Sequence, residues 1–190
     1  MATRRIFLLD RSGSMETIVD DTIGGYNSFI KSQKDLGGTM SLYLFDHELT
    51  EVYKDTPIAD VQPLDHTTYN PRGSTSLLDA MGQILKKEEG TKATMIILTD
   101  GEENSSSKFT NAHIKDLTEM RTKEGWDFVY LGANQDAFSV GRQLGINTTL
   151  DFDVRKTPQL FATLSAAMTQ ASQTGENVVL GSPKSAPATL

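Results

Sequence analysis

The strongest constraint on the fold is a series of short apolar runs separated by helical patterns. "RRIFLLD" (4–10) reads as a buried strand, "MSLYLFD" (40–46) as a second, and "ATMIILTD" (93–100) is apolar on both faces. A strand apolar on both faces belongs in the middle of a parallel sheet, covered by helices above and below. "LTEVYKD" (49–55) follows the second strand with only His47 and Glu48 between them, which predicts a hairpin and an antiparallel edge strand. "WDFVYLGAN" (126–134) and "TTLDFDV" (148–154) supply a fifth and a sixth strand.

Between the strands the apolar residues recur at helical spacing. Met15, Ile18, Val19, Ile23, Tyr26, Phe29 and Ile30 do so across 15–36, and Leu77, Leu78, Met81, Ile84 and Leu85 after a proline-containing loop. Ile114, Leu117 and Met120 mark a helix over 110–124; a short one follows at 136–144, and Leu160, Phe161, Leu164, Ala167 and Met168 mark a last helix over 158–173. Gly24-Gly25 inside the first helix costs about 0.5–1 kcal/mol per residue relative to alanine, which close packing against the sheet would explain. Leu36-Gly37-Gly38 ends that helix. Strand alternating with helix predicts one α/β domain over 1–174, with 175–190, ending "GSPKSAPATL", as a flexible C-terminal tail.

In open α/β sheets the ligand sits beyond the C-terminal ends of the central strands. Asp10 and Asp100 each close an apolar strand, so both acids emerge at the same edge. Three stretches offer oxygen there: "DRSGS" (10–14), "RGSTS" (72–76) and "LTDGEE" (98–103). A hard cation such as Mg2+ takes six oxygens in near-octahedral geometry. Asp10, Ser12 and Ser14 alternate along one loop that Gly13 lets bend. Thr75 approaches from the start of a helix, and Asp100 adds a second carboxylate. Two aspartates balance one divalent charge, while three hydroxyls add ligands without adding charge. The ion keeps the capacity to accept one more oxygen from outside. Capping is the simpler reading of Asp10, Ser12 or Thr75 taken singly, and a turn that of Asp100-Gly101, but a cap needs one such residue, not three at alternate positions.

These residues resemble the von Willebrand factor A (vWA) domain family. Its metal-ion-dependent adhesion site (MIDAS) is Asp-x-Ser-x-Ser with a separate threonine and a separate aspartate. Here Asp10, Ser12, Ser14, Thr75 and Asp100 fill all five positions, and the order of elements matches over roughly residues 3–173. The resemblance implies a three-layer, Rossmann-like fold with a six-stranded sheet of order 3-2-1-4-5-6. It implies Mg2+, with Mn2+ or Ca2+ as alternatives, and a partner protein whose Asp or Glu carboxylate completes the metal shell. "GWDFVYLGANQDA" further resembles small intracellular microbial or phage members of the family.

Around the site, Arg72 attracts a partner's acid or is a plain surface arginine. Glu102 and Glu103 tune the site or form a solvated loop. Asn134 and Gln135 line the site or start the next helix. "NSSS" (104–107) is a mobile loop or borders the binding face, and His47, His66 and His113 share no zinc-binding spacing.

The expected function is a divalent-metal-dependent protein-binding module rather than an enzyme. The alternative is a Mg2+-dependent hydrolase or phosphotransferase using the same site. Asp-x-Asp phosphatases also place an acid after their first strand, but here Ser12 stands where their general acid would be. No base is apparent for a serine nucleophile, and no phosphate-binding Gly-x-x-x-x-Gly-Lys loop is present. A net charge of -7 disfavours nucleic acid and anionic membranes as partners. With no cysteine, no run of membrane-spanning length and a run of only four apolar residues before Asp10, the expected location is cytoplasmic.

Overall fold

A computed structural model describes residues 3–88, 92–133 and 136–180. The apolar runs form β1 (Arg4–Asp10), β2 (Thr39–Phe45), β4 (Thr94–Thr99) and β5 (Asp127–Ala133), with β3 (Leu49–Pro57) and β6 (Thr148–Phe152) at the edges. One sheet holds all six in the order β3-β2-β1-β4-β5-β6. Every neighbouring pair is parallel except β2 with β3.

The helices are α1 (Val19–Gln33), α2 (Leu77–Lys87), α3 (Asn111–Lys123), α4 (Ala137–Gln143) and α5 (Thr157–Thr174). Alternation along the strands divides the core in two. Phe7, Leu9, Ile96, Leu98, Val129 and Leu131 face α1 and α5, where they meet Tyr26, Phe29, Leu160, Phe161 and Leu164. Ile6, Leu8, Met95, Ile97 and Tyr130 face the other layer, where they meet Leu77, Met81, Ile84, Leu85 and Ile114.

Three expectations change. The single helix over 15–36 is divided into a 3-10 turn at Gly13–Ile18, α1, and another 3-10 turn at Lys34–Leu36. The first turn is tight because the chain is still leaving the loop after β1, with the Met15 N–H bonded back to the Ser12 carbonyl. The glycine pair does not pack on the sheet. A Cβ on Gly25 would run into the ring of Phe161, so this glycine lets α1 approach α5, whereas Gly24 faces open space. Within residues 175–180, assigned to the tail, Val178 is tied to the sheet: it is buried, its N–H donates to Asp127 Oδ2 at 2.6 Å and its carbonyl accepts from Thr148. Residues 181–190 lie outside the described residues.

Candidate metal centre

The parallel register carries β1 and β4 to the same edge, pairing Leu9 with Leu98, so Asp10 and Asp100 leave the sheet side by side. Asp10 is fully buried. Its Oδ1 accepts the Ser12 N–H at 2.6 Å and its Oδ2 accepts the Thr99 hydroxyl at 2.5 Å. Its carbonyl accepts the buried Tyr69 hydroxyl at 2.7 Å. Strand end and loop are thereby fixed before any ligand is considered.

Backbone bonds lace the three loops together. The Gly13 N–H reaches the Gly73 carbonyl at 3.1 Å and the Arg72 N–H reaches the Arg11 carbonyl at 2.7 Å. Asn104 clips Thr75 from the other side: the Thr75 N–H donates to Asn104 Oδ1 at 3.0 Å, and the Asn104 N–H donates to the Thr75 carbonyl at 3.1 Å. The oxygens then converge. Ser14 Oγ donates to Asp100 Oδ1 at 2.6 Å and lies 3.1 Å from Ser12 Oγ. A Cβ built on Gly101 would lie 3.0 Å from Thr75 Oγ1, 3.5 Å from Ser14 Oγ and 3.7 Å from Asp10 Oδ2. All five residues named from the sequence therefore border one small space. Neither the Ser12 nor the Thr75 side chain caps a helix there: the 3-10 turn after Ser12 has no side-chain cap, and Ser76, not Thr75, precedes α2.

The electrostatics of this space are unbalanced. Burial pushes the Asp10 carboxyl up to about 6, against the hydrogen bonds from Thr99 and Ser12, and the nearby Asp100 carboxylate adds to the rise. Burial raises Asp100 as well, although Ser14 donates to it. Among the described residues neither acid has a cationic partner. Arg11 turns away to Asp46 and Thr50.

The outer candidates fare differently. Arg72 is committed within the chain, to Asp46 Oδ2 and Glu48 Oε2 at 2.9 Å each. Glu103 is a cap: its carboxylate accepts the N–H of Leu78 in the first turn of α2 and those of Ser105 and Ser106 in its own loop. Glu102 is exposed beside Asp100. Asn134 and Gln135 lie outside the described residues. The stretch 104–107, expected to be mobile, is tied down: Ser105 and Ser106 bond to Glu103 and Ser107 bonds to Asp79. Sequence reasoning missed Thr99, Asn104 and Tyr69. Thr99 and Asn104 sit within the quoted stretches, but nothing in local periodicity marks them as supports.

Asp46, His47 and Glu48 also gather ligand atoms within 4.8 Å of one another. Arg11 and Arg72 both hold the Asp46 carboxylate, which puts two guanidinium charges where a cation would have to sit.

No family model and no curated protein sequence matches the chain. Solved structures do resemble it. Proximal thread matrix protein 1 from the mussel byssus is 17% identical over 86% of this chain and 45% of its own, with a TM-score of 0.61. It has also been solved with zinc in its MIDAS motif. The vWF domain of the type V pili tip protein Mfa5 from Porphyromonas gingivalis is 11% identical, with a TM-score of 0.67 over 93% of this chain and 98% of its own. Manganese-loaded TRAP protein of Plasmodium vivax is 19% identical over 83% of this chain and 71% of its own, with a TM-score of 0.57. The chain spans less than half the length of the mussel protein. With this sheet order and these neighbours, the fold of the chain is that of the von Willebrand factor A domains.

Proposed function

We propose that this protein is a divalent-metal-dependent protein-binding module. Ser12, Ser14 and Thr75 would hold the ion, and Asp10 and Asp100 would balance its charge, with Mg2+ as the resident cation and Mn2+ or Ca2+ as alternatives. The observation that carries this reading is the convergence of hydroxyl and carboxylate oxygens around the space beside Gly101. Two of its donors are buried or half-buried acids with no cation among the described residues. A donor set of oxygen alone suits a hard cation. When bound, such an ion supplies an open coordination position for an oxygen from outside.

The chain's own residues prepare that position. Thr99 and the Ser12 N–H orient Asp10, Asn104 holds Thr75, and Ser14 sits at the exposed mouth. An Asp or Glu of a partner protein is the matching ligand, because a hard cation with an open coordination position takes a carboxylate oxygen readily. The binding reading is preferred to a hydrolase because no histidine or lysine is hydrogen-bonded to Ser12 or Ser14 among the described residues. The bases these serines meet are carboxylates, weaker than the imidazole or amine that activates a serine nucleophile.

Calorimetric titration with Mn2+ tests the site. We expect one saturable site in the wild type and none in Asp10→Ala. A peptide carrying one glutamate should bind the wild type in Mg2+ and not in chelator. Metal binding undiminished by Asp10→Ala, or peptide binding indifferent to chelator, overturns the reading.

A further inference from the structure

We infer that a second recognition subsite lies beside the metal centre, a cavity that takes a basic side chain, so that the partner carries a lysine or arginine close to its acid. The partner's acid rests on the proposed metal centre; the cavity stands on its own observations. It encloses about 400 Å3 between the starts of α2, α3 and α4, within the usual range of a binding pocket. Leu78, Val140 and Leu144 give it apolar walls, and Glu102, Glu103 and Asp136 give it carboxylates.

Its place follows from the same loops that build the centre. Leu78 stands three residues after Thr75, and Glu102 and Glu103 stand two and three after Asp100. At about 3.3–3.6 Å per residue at most, cavity and centre are within reach of neighbouring side chains of one peptide.

Its charge is one-sided. Glu103 is occupied by backbone donors, and Asp136 Oδ1 accepts the Ser139 N–H as the cap of α4. Glu102 makes no hydrogen bond among the described residues, and the second oxygen of Asp136 is likewise unengaged. Among the described residues no lysine or arginine lines the cavity. Arg142 lies along the neighbouring cleft, its guanidinium 5.7 Å from the centre of the Phe138 ring. Apolar walls under a negative rim match a side chain with an aliphatic stem and a cationic head. A partner presenting only acids would meet repulsion here.

The test uses the full chain and n-butylammonium as the probe, with n-butanol as its neutral counterpart, read on the methyl resonances of Leu78, Val140 and Leu144. We expect saturable shifts with n-butylammonium, alike in Mg2+ and in chelator, and weaker binding of n-butanol. The Glu102→Gln/Asp136→Asn variant keeps the α4 cap, since asparagine caps as aspartate does. It should lose about fivefold in affinity for the cation, the scale of one exposed ion pair. In Mg2+ the tripeptide Glu-Ala-Lys should bind wild type about fivefold more tightly than Glu-Ala-norleucine, and the variant should not distinguish them. Equal affinity for n-butylammonium and n-butanol, or a variant that keeps the lysine preference, overturns the subsite. Failure of the metal reading looks different: both tripeptides would then bind equally in Mg2+ and chelator while the n-butylammonium shifts persist.

Discussion

At the scale of residues, the proposed metal centre would depend on groups that donate no ligand. Gly101 has no side chain where a methyl would press on Thr75 Oγ1 and touch Ser14 Oγ, and its backbone is compatible with alanine. Gly101→Ala should therefore keep the fold while weakening Mn2+ binding, seen as an unchanged far-ultraviolet spectrum beside a weaker calorimetric isotherm. Asn104 acts through Thr75, which it clips by two backbone-directed bonds. Supports of this kind typically contribute about 10–100-fold in metal affinity. Asn104→Ala should lower Mn2+ affinity by about tenfold, with Asn104→Asp recovering part of it because its carboxylate still accepts the Thr75 N–H.

At the scale of elements, the helices are set by single contacts that their own periodicity does not reveal. Gly25 lets α1 lie against Phe161 of α5, while Gly24 on the same turn is free. Gly25→Ala should destabilise the protein by about 1–3 kcal/mol through overpacking, and Gly24→Ala should stabilise it by about 0.5–1 kcal/mol. Denaturant midpoints moving in opposite directions would show both. The start of α2 is anchored by Asp79, whose carboxylate accepts the N–H groups of Ser107, Lys108 and Phe109 at 2.8–3.0 Å. Burial alone would raise this carboxyl, but the three donors outweigh it and hold it below its ordinary value. A depressed carboxyl stabilises the fold above its unfolded pKa of about 3.9, and that contribution is lost as pH falls through the folded value. Thermal melts between pH 6 and pH 3 should fall less steeply for Asp79→Asn than for wild type. A steeper fall would mean that Asp79 is not held in its charged form.

At the scale of the whole molecule, a cation that binds only the folded chain must stabilise all of it. Mg2+ at a hundred times its dissociation constant should add about 2.7 kcal/mol. For a chain of this size that raises the melting midpoint by about 5–10 °C. Chelator should reverse the gain, and Asp10→Ala should show none of it. No helix among the described residues is long and apolar enough to cross a membrane.

Local chemistry in the sequence determined the six strands and five helices to within a few residues, because burial on one or both faces imposes a period that any window of the chain reveals. It also placed Asp10 and Asp100 at strand ends, and the spacing of Asp10, Ser12 and Ser14 marked one loop as a donor cluster. The order of the strands came from family resemblance, since periodicity does not say which strand lies beside which. What the tertiary structure alone decided are contacts between residues far apart in sequence: Arg72 spent on Asp46, Glu103 on the start of α2, Asn104 on Thr75, Gly25 beneath Phe161. A side chain's period reports the face it occupies, but its partner is set by how the loops of separate strands meet at one edge of the sheet.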